Sequence, residues 1–395
     1  MRVGIDALAL AVPPLALELR TLAEARGVPP AKFVEGIGVE RMAIAPLDED
    51  TVTLAARAGA AALAQAGISA SEIGYLVVGT ETAVDHSKPV ASYVQGLLGI
   101  GAACRVYETK HACFGATAGV LGALEWIRAG GGKRPRIALV IAADIARYGL
   151  QTPGEPTQGG AGVALILRED PRLVEIDATI GHYASDVHDF WRPLPSKDAL
   201  VDGAFSVECY LNAVTGAYRN FQEEREETER FSVLALDRLV YHVPYGKMAI
   251  KAHRQLLAEE GLDAAAADAT FAEKVGPSLT LPRRIGNSYT GSLYAALGSL
   301  LATDPAPLDG ARLGLFSYGS GSAAAFFTGT VVAGAQKRVA GLGDALERQR
   351  ILAIDEYEAL FHARNDLDTR PYAAPEGPAT SPRYLGVDGG KRRYG

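Results

Sequence analysis

Short apolar runs alternate along the chain with longer segments in which apolar and small residues recur at helical spacing. Residues 75–79, 137–143 and 162–167 are such runs, and their lengths are typical of buried β-strands. The intervening residues 112–128 contain many Ala and Gly residues, which predicts a helix packed tightly against its neighbours. This alternation of strands and helices predicts an α/β fold.

The second half of the chain repeats the order of segments found in the first. Four pairs of segments match in the same order: 75–81 with 238–244, 112–116 with 286–292, 136–142 with 312–318, and 160–165 with 319–325. The shared order predicts a duplicated α/β unit, with one half at 1–170 and the other, with an insertion and a C-terminal tail, at 171–395. Ligands of such sheets bind at the carboxyl ends of the strands, so we expect a site between the halves.

Composition and charge narrow the function further. The 395 residues are 48% hydrophobic and 22% charged, enough for a large core. A net charge of −7 disfavours a nucleic-acid partner, so an anionic ligand would need a local basic cluster. Three cysteines do not make a disulfide framework and indicate a reducing compartment. No run approaches the ~20 apolar residues that span a membrane, and the N-terminus reads as a first strand. We therefore expect a cytoplasmic protein without a membrane partner.

Cys113 is the strongest candidate for a nucleophile. It stands at a predicted strand-to-helix turn in the pattern Cys-x-Gly-x-x-x-Gly. Unpaired N–H groups at a helix N-terminus would lower the thiol pKa and bind the oxyanion of an attacked thioester. The alternative is that Cys113 is a buried small hydrophobic residue, as most free cysteines are. Cys104 and Cys209 lack this context, and we expect them to have only a structural role.

Two further residues stand where general acid–base chemistry is expected. Glu81 lies just past an apolar strand, where partial burial would raise the carboxyl pKa toward the working range. His242 lies near the end of another apolar run. The repeat matches this run with the one before Glu81, so we expect His242 to lie opposite Glu81. The alternatives are an ordinary loop glutamate and a core histidine.

The candidate ligand-holding residues lie in the second half. Asn287 opens a predicted helix, where it would either bind a ligand or cap the helix. Ser320 lies between glycines that allow a close backbone approach, although a simple tight turn is the alternative. Lys247, Lys251 and Arg254 follow His242 at helical spacing. Their mutual repulsion would be relieved by an anionic ligand, but a solvated basic face is an open alternative.

These residues lie in motifs that resemble those of one enzyme family. Residues 108–119 are similar to the nucleophile motif of 3-hydroxy-3-methylglutaryl-CoA (HMG-CoA) synthases. Seven more segments look like family landmarks: 78–82, 147–150, 154–159, 190–193, 241–245, 286–292 and 316–321. The similarity spans nearly the whole chain and is closest to the bacterial type. Two departures, His111 and Phe114, flank the nucleophile without removing a catalytic group.

The resemblance implies a thiolase-like, duplicated five-layered α-β-α-β-α fold and a role for each candidate. Cys113 would carry an acetyl group, and Glu81 would deprotonate the acetyl-enzyme and protonate the new alkoxide. His242 would orient the acetoacetyl carbonyl and assist acyl transfer.

The resemblance also implies residues that hold the substrates. The backbone N–H of Ser320 would join that of Cys113 in an oxyanion hole, and Asn287 would bind the acceptor. Tyr148 is similar to an active-site tyrosine of the family. Lys247 and Lys251 would contact the phosphates of coenzyme A.

The implied reaction joins acetyl-CoA, acetoacetyl-CoA and water into HMG-CoA and free CoA, in the mevalonate route to isoprenoids. CoA thioesters are its substrates, and neither a nucleotide-binding pattern nor a metal-ligand spacing points to a cofactor or metal. Family analogy implies a homodimer. The nearest alternative is a polyketide β-branching relative that acts on carrier-protein-bound chains. A ketoacyl synthase or thiolase would lack Glu81 in its role, and a non-enzymatic subunit of this fold would have lost the nucleophile or the base.

Overall fold

The structure is a computed structural model that describes residues 1–132, 135–196, 198–225, 231–365, 367, 372 and 381–395. Its strands are β1 (Val3–Ala11), β2 (Leu15–Glu18), β3 (Arg41–Ile44), β4 (Tyr75–Gly79), β5 (Arg105–Thr109), β6 (Ala138–Ala146), β7 (Gly159–Glu169), β8 (Val174–Ala184), β9 (Phe190–Trp191), β10 (Leu200–Val201), β11 (Arg238–Tyr241), β12 (Arg312–Gly319), β13 (Ala323–Val331), β14 (Arg350–Ile351), β15 (Tyr384–Asp388) and β16 (Lys391–Tyr394).

The helices alternate with these strands through most of the chain. They are α1 (Leu19–Ala25), α2 (Pro30–Val34), α3 (Thr51–Ala66), α4 (Val90–Leu98), α5 (Gly115–Arg128), α6 (Gly203–Glu223), α7 (Gly246–Ala258), α8 (Ala264–Lys274), α9 (Pro282–Ile285), α10 (Ser292–Thr303), α11 (Ala335–Arg338), α12 (Asp344–Glu347) and α13 (Ile354–Asn365).

The main sheet shows the duplication directly. Its strand order is β11-β12-β13-β8-β1-β7-β6-β4-β5. In the first half, β1 and β7 pair antiparallel, as do β7 and β6, whereas β6 and β4 are parallel. In the second half β8, β13, β12 and β11 repeat this order and these directions. The predicted repeat is therefore confirmed, and β1 joins β8 across the centre. The predicted boundary after residue 170 falls between β7 and β8.

Helices cover both faces of each half. On the first half, α3 packs against β1, β6 and β7, while α5 packs against the other face. On the second half, α6 packs against β8, β12 and β13, while α10 contacts β11 and β12. The hydroxyl of Tyr294 on α10 donates to Thr117 on α5 at 3.0 Å, so these two helices form a shared central layer. The arrangement is the predicted five-layered α/β fold.

Alternating side chains on β4 connect two layers of the core. Tyr75 and Val77 belong to the apolar cluster around α5, whereas Leu76 and Val78 belong to the cluster around α3. The period of two is that of a strand buried on both faces. Glycine then allows close contact at the end of β4, because a Cβ on Gly79 would lie 2.2 Å from the backbone nitrogen of Ala116. The end of β4 and the start of α5 are thus held together.

Two smaller units flank the main sheet. The sheet β14-β2-β3 and helices α1, α2 and α13 enclose a separate apolar cluster. Near the C-terminus, β15 and β16 form a hairpin, and the hydroxyl of Tyr394 donates to Asp50 at 2.8 Å. Most of the predicted tail at residues 370–382, namely 370–371 and 373–380, lies outside the described residues. Within the described ranges, every helix is too short or too polar to cross a membrane.

Candidate active site

The proposed nucleophile lies in a sharp turn between β5 and α5. Ala112 has a φ of 38°, in the left-handed region that residues other than glycine rarely adopt. The backbone N–H of Phe114 donates to the carbonyl of His111 at 2.9 Å, and Thr109 Oγ1 donates to the carbonyl of Gly115 at 2.7 Å. Cys113 is therefore held directly before the first turn of α5, with part of its surface accessible.

The structure brings Glu81 and Cys113 into contact. Glu81 follows β4 and is 8% exposed, and its Oε1 lies 3.7 Å from Cys113 Sγ. Burial, reinforced by the nearby carboxylate of Asp144, raises the pKa of Glu81 well above its ordinary value, and Arg192 opposes this increase. A raised pKa is what a general acid–base group working near neutrality requires.

The expected lowering of the Cys113 thiol pKa is wrong for this structure. Burial raises the thiol pKa well above its usual value, and the carboxylates of Glu81, Asp144 and Asp189 raise it further. Burial disfavours the charged form of the thiol, and a negative charge beside it disfavours the thiolate further, so both act against the stabilisation expected from the start of α5. The resting thiol keeps its proton and donates it toward Glu81 Oε1.

Asp144 on β6 organises this part of the site, and sequence reasoning missed it. Its Oδ1 accepts hydrogen bonds from Thr80 Oγ1 at 2.7 Å, Glu81 N at 2.9 Å and Thr82 N at 3.0 Å. Its Oδ2 accepts from the backbone N–H of Thr290, in the other half, at 3.1 Å. A buried acidic residue inside an apolar strand was the available signal, because such a charge must be paired.

His242 extends from the end of β11. Its backbone N–H donates to the carbonyl of Phe316 at 2.8 Å, and its carbonyl accepts from the hydroxyl of Tyr210 at 2.7 Å. Burial lowers the pKa of His242 to about 3, so its imidazole is neutral near physiological pH. A neutral imidazole can donate one hydrogen bond and accept another.

The turn that contains Ser320 lies against the nucleophile turn. A Cβ on Gly319 would lie 2.5 Å from the backbone nitrogen of Phe114, so only glycine permits this approach. Asp189 holds the turn, because it accepts from the hydroxyl of Tyr318 at 2.7 Å and from Gly321 N at 3.0 Å. The predicted partners of the oxyanion hole, Ser320 and Cys113, thus belong to two turns in contact.

Asn287 is buried near the same edge, and it does not cap a helix. The N-cap of α10 is Gly291, so the capping alternative is wrong. Instead, Asn287 Oδ1 accepts from the backbone N–H of Tyr289 at 2.9 Å, and Tyr289 has a positive φ of 44°. Among the described residues, the side-chain amide nitrogen of Asn287 has no hydrogen-bond partner. It can therefore donate to a ligand.

Aromatic residues form a wall beside the thiol. Tyr148, Tyr289 and Ala146 make a buried apolar cluster against which Cys113 and Phe190 pack. The ring of Tyr148 meets those of Phe190 and Tyr289 edge to face, with centroids 6.4 and 6.5 Å away. Burial raises the pKa of Tyr148, so its hydroxyl stays protonated.

The two candidate phosphate-binding lysines lie near a cleft of about 810 Å³. Lys247, at the start of α7, is exposed, and its backbone N–H donates to the carbonyl of Ile37, a cleft residue, at 2.9 Å. Lys251 is half-buried one turn later. Neither ammonium has an ion-pair partner in the described part of the chain.

The basic cluster differs from the predicted one in two respects. Arg254 forms a bidentate pair with Asp268, at 2.7 and 2.6 Å, so it is already neutralised. Conversely, Lys32 lines the cleft although the sequence did not single it out, and Arg26 lines it too but is paired with Glu155 and Glu358. Their separation from Lys247 in sequence concealed the shared surface. The described residues contain no His, Cys, Asp and Glu cluster that suits a metal ion.

Comparison with known proteins agrees with this geometry. Residues 1–171 match the family model for the N-terminal part of hydroxymethylglutaryl-coenzyme A synthase, and residues 174–268 and 258–377 match that for the C-terminal part. The chain is 39% identical over 370 residues to the hydroxymethylglutaryl-CoA synthase of Enterococcus faecalis, covering 93% of this chain and 94% of the relative.

Two further relatives bear on the substrate. The solved structure of MvaS in complex with 3-hydroxy-3-methylglutaryl coenzyme A has a TM-score of 0.91 and 45% identity, covering 100% of this chain and 99% of that one. The polyketide biosynthesis 3-hydroxy-3-methylglutaryl-ACP synthase PksG of Bacillus subtilis is 30% identical over 377 residues, covering 91% of this chain and 87% of PksG. The chain belongs to the hydroxymethylglutaryl-CoA synthase family.

Proposed function

We propose that this protein condenses acetyl-CoA with acetoacetyl-CoA and water to give HMG-CoA and free CoA. The observation that carries the proposal is the contact between the Cys113 thiol and the Glu81 carboxyl group, 3.7 Å apart, in a chain that matches the family along both halves. A nucleophile and an acid–base group are thereby adjacent, as a carbon–carbon condensation on a thioester requires.

The first step is acetyl transfer to Cys113. The thiol proton passes to the ionised carboxylate of Glu81 as Sγ attacks the thioester carbonyl of acetyl-CoA. The backbone N–H groups of Cys113 and Ser320 bind the resulting oxyanion. When the carbon–sulfur bond to CoA breaks, the CoA thiolate takes the proton back from Glu81. Acetyl-Cys113 and CoA-SH result, and Glu81 is ionised again.

The second step forms the carbon–carbon bond. The carboxylate of Glu81 removes a proton from the acetyl methyl group, and the enolate attacks the ketone carbon of acetoacetyl-CoA. Neutral His242 and the amide of Asn287 donate hydrogen bonds to that ketone oxygen. Protonated Glu81 then gives its proton to the alkoxide. Hydrolysis of the thioester to Cys113 frees HMG-CoA and restores the thiol.

The cleft supports CoA as the carrier of both acyl groups. Lys32 lines the cleft and Lys247 is bonded through its backbone to Ile37, another cleft residue, so both can offer positive charge to phosphates. Lys251 lies one helical turn further on. The identity to the E. faecalis enzyme, 39%, exceeds the 30% identity to PksG. Both observations favour free CoA thioesters over substrates bound to a carrier protein.

The deciding experiment incubates the purified protein with acetyl-CoA and acetoacetyl-CoA and measures HMG-CoA by mass spectrometry. We expect steady turnover, and a parallel reaction with acetoacetyl carrier protein should be slower. Turnover only with the carrier-bound acceptor would instead establish the polyketide-type activity. A Cys113→Ala control should be inactive with either acceptor.

The proposal also covers the cofactor requirement, the oligomeric state and the cellular location. Every proton transfer above uses groups of this chain or the substrates, so we propose that no cofactor or metal is required and that chelators leave the rate unchanged. By family analogy we also propose a homodimer, which light scattering on the purified protein tests. The proposed location is the cytoplasm, which cell fractionation would check.

A further inference from the structure

A chain of buried hydrogen bonds connects the wall of the cleft with the aromatic wall beside Cys113. It starts at Arg26, whose Nε and Nη2 donate to the two carboxylate oxygens of Glu155 at 2.9 and 2.8 Å. Both residues line the cleft. Glu155 is 1% exposed, and it also accepts from the backbone N–H of Gln151 at 2.8 Å. This buried carboxylate is therefore well satisfied and firmly held.

This series of hydrogen bonds continues through α13, which lies near the C-terminal end of the sequence. The hydroxyl of Tyr357, on α13, donates to Glu155 at 3.2 Å and accepts from Gln158 Nε2 at 2.7 Å. The other end of that amide, Gln158 Oε1, accepts from the backbone N–H of Tyr148 at 3.0 Å. Since an amide and a hydroxyl each use both donor and acceptor here, the direction of every bond is fixed.

Gln158 and its neighbour Gly159 also contact the part of the site that belongs to the second half of the chain. A Cβ on Gly286 would lie 2.0 Å from the carbonyl oxygen of Gln158, and a Cβ on Gly159 would lie 2.8 Å from the backbone nitrogen of Asn287. A displacement of Gln158 would therefore move both Tyr148 and the backbone of Gly286 and Asn287. Neither Tyr357 nor Gln158 lines the cleft.

We infer that Tyr357 and Gln158 are positioning residues that hold Tyr148 against Cys113 and thereby shape the space for the acetyl group. The inference rests on the proposed function. Tyr357 acts at a distance, through Gln158, and touches no reacting atom. Its anchor is Glu155, which Arg26 fixes from the side of the cleft. A displaced wall of the acetyl pocket misaligns the reacting atoms and so reduces the rate of reaction. The affinity for acetyl-CoA changes less, because the CoA part is bound elsewhere.

The test is Tyr357→Phe, which removes one hydroxyl and keeps the ring. We expect kcat for HMG-CoA formation to fall ~10-fold or more, with the KM for acetyl-CoA changed by less than ~2-fold. The matched control is Tyr75→Phe, which removes another buried tyrosine hydroxyl, the partner of Tyr107 at the opposite end of β4 from Glu81. It should keep its kcat even where it lowers the melting temperature.

A second variant separates positioning from general loss of stability. Gln158→Met breaks both bonds of the amide, so it should lower kcat at least as much as Tyr357→Phe. The double variant should lose little more than Gln158→Met alone, because both changes interrupt one chain of bonds. Unchanged kcat in both single variants, a rise in KM alone, or fully additive losses would overturn the inference. Absence of HMG-CoA formation by the unmodified protein would overturn the proposed function instead.

Discussion

Cys113 Sγ and Glu81 Oε1 lie 3.7 Å apart at the junction of β4 and α5. The carboxylate raises the pKa of the thiol, whereas the hydrogen bond from the thiol lowers the pKa of the carboxyl group. In the proposed mechanism, this contact lets one carboxyl group accept the proton of the thiol first and a proton of the acetyl methyl group afterwards. It also makes the two steps separable by mutation. A thiolate can form without Glu81, but the methyl proton is removed only by a positioned base.

Glu81→Ala should still form acetyl-Cys113 while losing HMG-CoA production by ~10² to 10⁴-fold. Without Glu81 the thiol loses the base proposed for its proton, but its pKa also falls, so a thiolate that has lost its proton to solvent can still attack the thioester. Condensation has no such substitute, because it requires removal of a very weakly acidic methyl proton. The two steps are measured separately, by mass spectrometry of the acetylated protein and by product formation. A folded variant that fails to acetylate would show that loading cannot proceed without Glu81 and that the two steps are not separable, and one that condenses normally would leave it an ordinary loop carboxylate.

Glu81→Gln should shift the titration of the thiol to lower pH. The carboxylate disfavours the neighbouring thiolate, so a neutral amide in its place lowers the pKa of Cys113. The pH dependence of alkylation by iodoacetamide reports this pKa. Asp144, Asp189 and Arg192 remain in place in the variant. Glu125→Gln, an exposed change further along α5, is the control and should leave the profile unmoved. A shift to higher pH would contradict the electrostatic account.

Incubation with acetyl-CoA should add one acetyl group, located on Cys113 by peptide mapping. Cys209 is buried on α6, and burial raises the pKa of Cys104 to about 11, so neither offers a competing thiolate near neutrality. Cys113→Ala should abolish the label as well as turnover. Acetylation of Cys104 or Cys209 with Cys113 unmodified would refute covalent catalysis at this site.

Replacing Lys247 and Lys251 together by Ala should raise the KM for acetyl-CoA and weaken its dependence on salt. Contacts to phosphates act equally in the ground and transition states, so kcat at saturation should change less. Arg254→Ala is a matched control on the same helix, because its charge is already paired with Asp268. An unchanged KM in the double variant would remove these lysines from the CoA site.

The repeat and the places of Cys113 and Glu81 in the fold could be predicted because each leaves a local pattern in the sequence. The order of apolar runs reveals the duplication, and Cys113 and Glu81 stand at the ends of such runs. Asp144 and Tyr357 could not be found in this way. Their partners, Thr290 and Glu155, are far away in sequence, and only the fold brings these polar groups together.

The thiol pKa was mispredicted for a related reason. The start of α5 is visible in the sequence, but the burial of Glu81, Asp144 and Asp189 around the sulfur depends on both halves of the sheet. Likewise, Arg254 looked like a ligand for phosphate because nothing local shows that Asp268 on α8 neutralises it. Charge patterns along one helix do not reveal which charges are already compensated.

The positive φ angles of Ala112 and Tyr289 occur at equivalent places, each three residues before the first residue of a central helix. Thr290 therefore occupies in the second half the position that Cys113 occupies in the first. Its backbone N–H and hydroxyl both donate to Asp144, which in turn fixes the loop of Glu81. The two halves thus use this position differently: the first places the candidate nucleophile there, and the second places a residue that fixes the loop of Glu81 through Asp144.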